Sequence, residues 1–210
     1  REHPEIDHTK GVSVRIGIHS TEVLASEAER IRSIQSNMVS IPRFSDFFSI
    51  YQTCKFQLSE IDDSRESRSM ILNSIIESAI REVSASYIQN LSSDELMKIK
   101  EDFDSNKQFI ASQMIPGRAH GGGADYISQL DKFTGLNELV TQTANKIKQE
   151  HLSLIQLATG LDIDSRVVQL VNERDSEFIA SVTELVLEGL RWTDPPLLDK
   201  MGGKYTARPE

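Results

Sequence analysis

The sequence predicts an all-α fold, an antiparallel bundle of about five to seven helices with one short N-terminal extended segment or strand. Three observations point there. Apolar residues recur at helical spacing over most of the chain, strong stop signals separate the periodic stretches, and only one stretch alternates with period two. Its 210 residues are enough to bury a core without disulfides or a structural metal, and 38% hydrophobic with 26% charged residues is an ordinary globular balance. Aromatics are only 6% of the chain, so the core is expected to be mainly aliphatic.

Residues 1–19 read as an extended N-terminal segment: a polar lead-in containing Pro4, then Val12, Val14, Ile16 and Ile18 alternating with Ser13, Arg15, Gly17 and His19. Residues 20–192 form the helical domain. Its first helix carries Leu24, Ala28, Ile31, Gln35 and Met38 on one stripe. Pro42 suits the first turn of a second helix bearing Phe44, Phe47, Phe48, Tyr51 and Leu58. A third helix runs from about Glu66 to Asn90 on Met70, Ile76, Ile80, Val83 and Tyr87.

Ser92 and Glu95 form a capping box ahead of Leu96, Ile99 and Phe103, and Ile110 and Met114 extend that fourth helix past a possible break at residues 104–106. Pro116 and Gly117 stop it, and a Gly-rich loop covers residues 116–124. Tyr126, Leu130 and Phe133 mark a short helix. Thr134-Gly135 then opens a long one with Leu136, Val140, Ala144, Ile147, His151, Leu154 and Ala158, closed by Gly160. Asp162 or Asp164 caps a last helix on Val168, Val171, Phe178, Val182, Leu185 and Trp192. Residues 193–210, with Pro195-Pro196 and Gly202-Gly203, are expected to lie as an extended tail.

Charge and motifs narrow the function mainly by exclusion. A net charge of −9 with no run of five like charges argues against a general nucleic-acid binder, because phosphate contacts need clustered Lys and Arg. No apolar run reaches the ~18–20 residues of a membrane span. The single cysteine, Cys54, excludes an internal disulfide and reads as a buried structural thiol. Of the five histidines, no two have the helical i, i+4 spacing of a metal pair, so neither a metal site nor a cofactor is expected. Asp162 and Asp164 open like a calcium loop but lack the glycine at its sixth position, and read as helix caps.

Two constellations remain. In the Gly-rich loop, Gly121, Gly122 and Gly123 precede a helix start near Asp125, where backbone N–H groups could meet an anion with Arg118 and His120 supplying charge. The loop lacks the Lys-Ser/Thr of a P-loop and follows no strand, so the simpler reading is a helix-to-helix connection. The aromatic cluster Phe44, Phe47, Phe48 and Tyr51 serves either as core or as a partner-docking surface. With no nucleophile elbow and no acid/base pair evident, the expectation is a non-catalytic helical module that binds another protein. The alternatives are an enzyme or small-ligand receptor using the Gly-rich loop, and a carrier of an apolar ligand between helices.

Residues 70–110 hold a helix passing Tyr87, then Leu91-Ser92-Ser93-Asp94-Glu95-Leu96, Ile99 and Phe103-Asp104-Ser105. That stretch resembles a family of secreted bacterial helical proteins of unknown function. The family usually has a glycine after the final serine, where this chain has Asn106-Lys107. The resemblance implies a periplasmic or otherwise exported location and brings no catalytic residues. The first residue is Arg1, which fits an expectation that a further N-terminal segment, such as a signal peptide, precedes it.

Overall fold

The computed structural model describes residues 14–30, 41–50, 64–88, 91–104, 107–111, 122–159 and 175–209. They form six α-helices, one 3₁₀ helix and a small antiparallel sheet: α1 (Val14–Ala28), η1 (Phe44–Ser49), α2 (Arg65–Ile88), α3 (Ser93–Asp104), β1 (Phe109–Ile110), α4 (Gly123–Leu130), α5 (Thr134–Thr159), α6 (Asp175–Arg191), β2 (Leu198–Met201) and β3 (Lys204–Ala207).

The alternating N-terminal stretch is helical wherever it is described, which corrects the expected strand. Val14 and Ile18 are four residues apart, so the same alternation also satisfies one face of a helix, and a helix satisfies its backbone groups without a strand partner. Ile18 nonetheless stays 60% exposed, and α1 engages the fold further along, through Leu24 and the buried Ala28.

Helix α2 links two cores. Near its N-terminus Ile71 and Leu72 join Ile50 in a small cluster that also takes Leu24, Phe47, Ile75 and Ile76. Near its C-terminus Ser84 and Ile88 pack against α6, where Gly189 permits close contact. Of the expected stripe, Ile76 and Tyr87 pack against these cores and Ile80 is half-buried, but its edge turns away from them. Met70 and Val83, both expected inside, are 65% and 51% exposed.

The capping box forms as read. Ser92 N–H donates to Glu95 Oε2 at 2.8 Å, and Glu95 N–H donates to Ser92 Oγ at 3.3 Å. The expected extension of that helix through Ile110 does not occur. α3 ends at Asp104, and Phe109-Ile110 pairs instead with Tyr205 and Lys204. Asp102 on α3 then receives the Thr134 and Leu136 amides at 3.0 and 2.9 Å, capping α5 from another helix.

Along α5, Leu136, Leu139, Val140 and Ala144 are buried, but His151, Leu154 and Leu157 are exposed. The expected apolar stripe is therefore corrected at His151 and Leu154: among the described side chains of α5, Ile147 is the last of that stripe packed against the core.

Helix α6 is the centre. Every residue from Val182 to Leu190 is buried, as expected for a helix enclosed on all sides. It packs against α2, α4 and α5. Beyond it the chain forms the β2–β3 hairpin, closed by Gly202 and Gly203 at φ +55° and +78°. Positive φ at both central positions is the requirement of a two-residue type I′ turn. The sheet order is β1-β3-β2, and Phe109, Leu198 and Tyr205 bury its inner face in the main core. Phe103, Phe109, Tyr126 and Phe133 form its aromatic part, with ring centroids 4.9–5.7 Å apart.

Candidate functional site

The enclosed helix α6 carries three buried carboxylates, Glu177, Glu184 and Glu188. Burying an ionised carboxylate costs several kcal/mol unless charged and hydrogen-bonding partners compensate. Glu177 and Glu184 find partners on elements far away in sequence, and Glu188 finds its own on the same helix and the hairpin that follows.

Glu177 Oε2 accepts from Arg43 Nη2 at 2.6 Å, and its Oε1 from the Gly123 amide at 2.7 Å. Glu184 Oε1 accepts from the Tyr126 hydroxyl at 2.5 Å and Ser45 Oγ at 3.0 Å, and its Oε2 from the Ser45 amide at 2.8 Å. Glu188 Oε1 accepts from Lys200 Nζ at 2.5 Å and Tyr205 OH at 2.7 Å, while Oε2 accepts from Arg191 Nη1 at 2.6 Å. Arg43 thus forms an ion pair with Glu177, and Arg191 and Lys200 both pair with Glu188, while Glu184 is held by the neutral donors Ser45 and Tyr126.

Local sequence explains how the distant partners are presented. The Asp46 carboxylate receives the Arg43 amide at 2.8 Å, fixing the first turn of η1. Ser181 Oγ donates to the Pro42 carbonyl at 2.9 Å, docking the same segment on α6. The Arg43 guanidinium lies 4.7 Å from the Tyr126 ring centroid, a cation–π placement.

Burial opposes the Arg43 charge, but Tyr126, Glu177 and Glu184 outweigh it and hold the guanidinium above its ordinary value. Burial likewise opposes ionisation of Glu188, yet Lys200, Arg191 and Tyr205 keep its carboxyl below the usual carboxylate value. Burial pushes the Tyr205 phenol well above its ordinary value, with the negative charge of Glu188 acting in the same sense.

Between α2, η1, α6 and the hairpin lies a cleft of about 340 Å³. Phe44, Phe47, Ile76, Ile80 and Trp192 form apolar walls, Glu184, Glu188, Arg191 and Lys200 reach its lining from the ionic network, and Glu77 and Asn73 add polar wall. Trp192 is flanked by the guanidinium carbons of Arg81 and Arg191 at 5.5 and 5.3 Å. Both oxygens of Glu184 and of Glu188 are already accepting, and Glu188 is held ionised. Proton transfer would require breaking short bonds, so the arrangement favours a rigid charged floor over acid/base chemistry.

The sequence-predicted residues divide clearly. Phe44 and Phe47 line the cleft with their rings 5.4 Å apart. Phe48 belongs to η1, its side chain outside the described residues, and Tyr51 lies outside them as well. Of the Gly-rich loop, Arg118, His120 and Gly121 fall outside the described residues; so do Cys54, Gly160, Asp162 and Asp164. Gly122 is the exposed N-cap of α4, and Gly123 is buried against α6. A carboxylate does meet this helix N-terminus, and it is the protein's own Glu177.

Sequence reasoning missed the glutamates on α6 and their partners Arg43, Tyr126, Lys200 and Tyr205. One signal was available. Apolar residues surround α6 on every side from Ile179 to Leu190, leaving Glu184 and Glu188, at i, i+4, no solvent face to occupy.

Among the described residues no group of three His, Cys, Asp or Glu is placed to hold a metal ion, and no helix is long and apolar enough to cross a membrane. No family model matches the chain, and no curated protein or solved structure shows significant similarity to it.

Proposed function

We propose that the protein is a non-catalytic helical module that binds another protein through the cleft between α2, η1, α6 and the hairpin. One observation carries this reading: a mixed aromatic and aliphatic cleft sits on a floor whose carboxylates are fully engaged by protein donors. Such a floor resists distortion and offers no spare base. The apolar walls offer the desolvated pocket into which an interface anchor side chain packs. A charged floor also suits an amphipathic protein segment better than a wholly apolar cargo. The likeness of residues 70–110 to secreted bacterial helical proteins supports an exported or envelope-associated setting for that partner.

The test is site-specific photocrosslinking in cells that make the protein. A benzophenone side chain at Ile80, inside the cleft, is expected to give one discrete protein adduct. The same group at Glu138, exposed on α5 and outside the cleft, is expected to give none. No adduct from Ile80, or the same adduct from both positions, would overturn the reading.

A further inference from the structure

In the buried network, three carboxylates, Glu177, Glu184 and Glu188, are balanced by three cations, Arg43, Arg191 and Lys200. Arg191 and Lys200 also line the cleft, but Glu188 engages both. The floor therefore carries no net charge that selects an occupant. Glu77 stands apart from it. Exposed on α2, it lines the cleft, and its carboxylate makes no hydrogen bond or ion pair with any described residue. Arg81, one turn further along the helix, places its guanidinium over the Trp192 ring instead.

The aromatic walls point the same way. Trp192 lies near two guanidiniums, and Tyr87, Tyr126, Phe133, Phe178 and Tyr205 each have an arginine or lysine charge within 5.8 Å of the ring centre. Phe44 and Phe47, half-buried at the cleft with centroids 5.4 Å apart, have none among the described residues.

Two rings beside a carboxylate suit a guanidinium or an ammonium on an aliphatic stem. The rings attract the cation, the stem buries apolar area against Ile76 and Ile80, and the carboxylate meets the charge. An acidic occupant would instead set a like charge against Glu77, and a wholly apolar one would desolvate that carboxylate without a partner. A net charge of −9 draws a basic partner from a distance and repels a second copy of this chain.

We infer that the partner anchors in the cleft through a basic side chain, an arginine or a lysine, whose stem lies on Phe44 and Phe47 and whose charge meets Glu77. This rests on the cleft being a protein-binding site. The probe is propylguanidinium, the arginine side chain without its backbone, followed by NMR titration of the Phe44 and Ile80 signals. Propylurea, neutral and of nearly the same shape, is the control. Propylguanidinium is expected to bind at least about fivefold tighter than propylurea. Glu77→Gln should weaken propylguanidinium by about threefold and leave propylurea unchanged. Glu82→Gln, exposed on the same helix outside the cleft, should change neither.

Failure of propylguanidinium to bind, equal affinity for the two probes, or an unchanged affinity in folded Glu77→Gln overturns the basic anchor. An equal loss in Glu82→Gln overturns it too, because net charge alone would then be the cause. In cells, folded Glu77→Lys is expected to lower the Ile80 crosslink yield at least about fivefold. Full yield from that variant overturns the basic anchor and leaves the cleft reading standing. Absence of the crosslink in the unmutated protein removes the cleft reading itself.

Discussion

The Arg43 guanidinium lies 2.6 Å from the Glu177 carboxylate, although 134 positions separate the two residues. The pair fastens the segment before η1 to the start of α6, and the Arg43 side chain is completely buried. Removing one partner of such a pair strands the other charge in the interior. Arg43→Leu is expected to destabilise the protein by about 3–5 kcal/mol in urea unfolding. Adding Glu177→Gln should restore part of the loss, because the stranded charge is then gone. A loss below about 1 kcal/mol would show that water reaches Glu177.

Stability should fall at both ends of the pH range. Burial alone would raise the Glu188 carboxyl, but its cationic partners hold it below the ordinary value of 4.5. In acid the unfolded chain therefore takes up its proton first. The contribution of Glu188 is complete above about pH 5 and is lost as pH falls below that. Tyr205 has the opposite sign. Its phenol is raised well above 10.0, so its contribution is complete below pH 10 and is lost as pH rises further. Thermal melts across pH should show Glu188→Gln flattening the acid limb and Tyr205→Phe flattening the alkaline one. An unchanged acid limb in Glu188→Gln would contradict the assignment.

Two glycines at helix contacts should respond differently to alanine. A Cβ at Gly123 would collide with backbone atoms of Ser176 and Glu177, which cannot rotate away. A Cβ at Gly189 would meet mainly the end of the Ile88 side chain, which can. Gly123→Ala is therefore expected at or above about 3 kcal/mol and Gly189→Ala nearer 1–2 kcal/mol. Equal losses in denaturant titrations would indicate that α4 shifts to make room.

Ser92→Ala removes the hydroxyl that meets the Glu95 amide and its carboxylate. The expected cost is about 1 kcal/mol by chemical denaturation. A change within a few tenths of a kcal/mol would mean that α3 is held by packing of Ile99 and Phe103 alone.

What the sequence made legible was local. The capping box at Ser92 acts within three residues of itself. Thr134-Gly135 marked the opening of α5, although Asp102 on another helix caps it, and Gly202-Gly203 marked only the extended tail, not the hairpin. The misreadings share one cause, contacts between distant residues. Phe109 is a strand residue because Tyr205 lies beside it, not because of its neighbours in the chain. Val14 to Ile18 satisfies a strand pattern and a helix pattern together, and among the described residues it is helical with no strand paired to it. The ionic floor was hidden in the same way. Glu184 and Glu188 read as solvated until the rest of α6 is recognised as enclosed. Nothing local links them to Ser45, Tyr126 or Lys200. Of the candidate site, only Phe44 and Phe47 were visible in advance.

Those two phenylalanines separate the core from the cleft wall. Phe47 packs on the Ile50, Ile71 and Leu72 cluster, whereas Phe44 stands at the cleft without joining that cluster. The most direct measurement is the Ile80 crosslink yield of Phe44→Ser, taken beside its melting temperature. The expected result is a yield reduced at least about tenfold, with the melting temperature lowered by no more than about 4–8 °C, the shift produced by ~1 kcal/mol. An unchanged yield from the folded variant, or a yield that falls only as the variant unfolds, would contradict the claim that this cleft binds a protein partner.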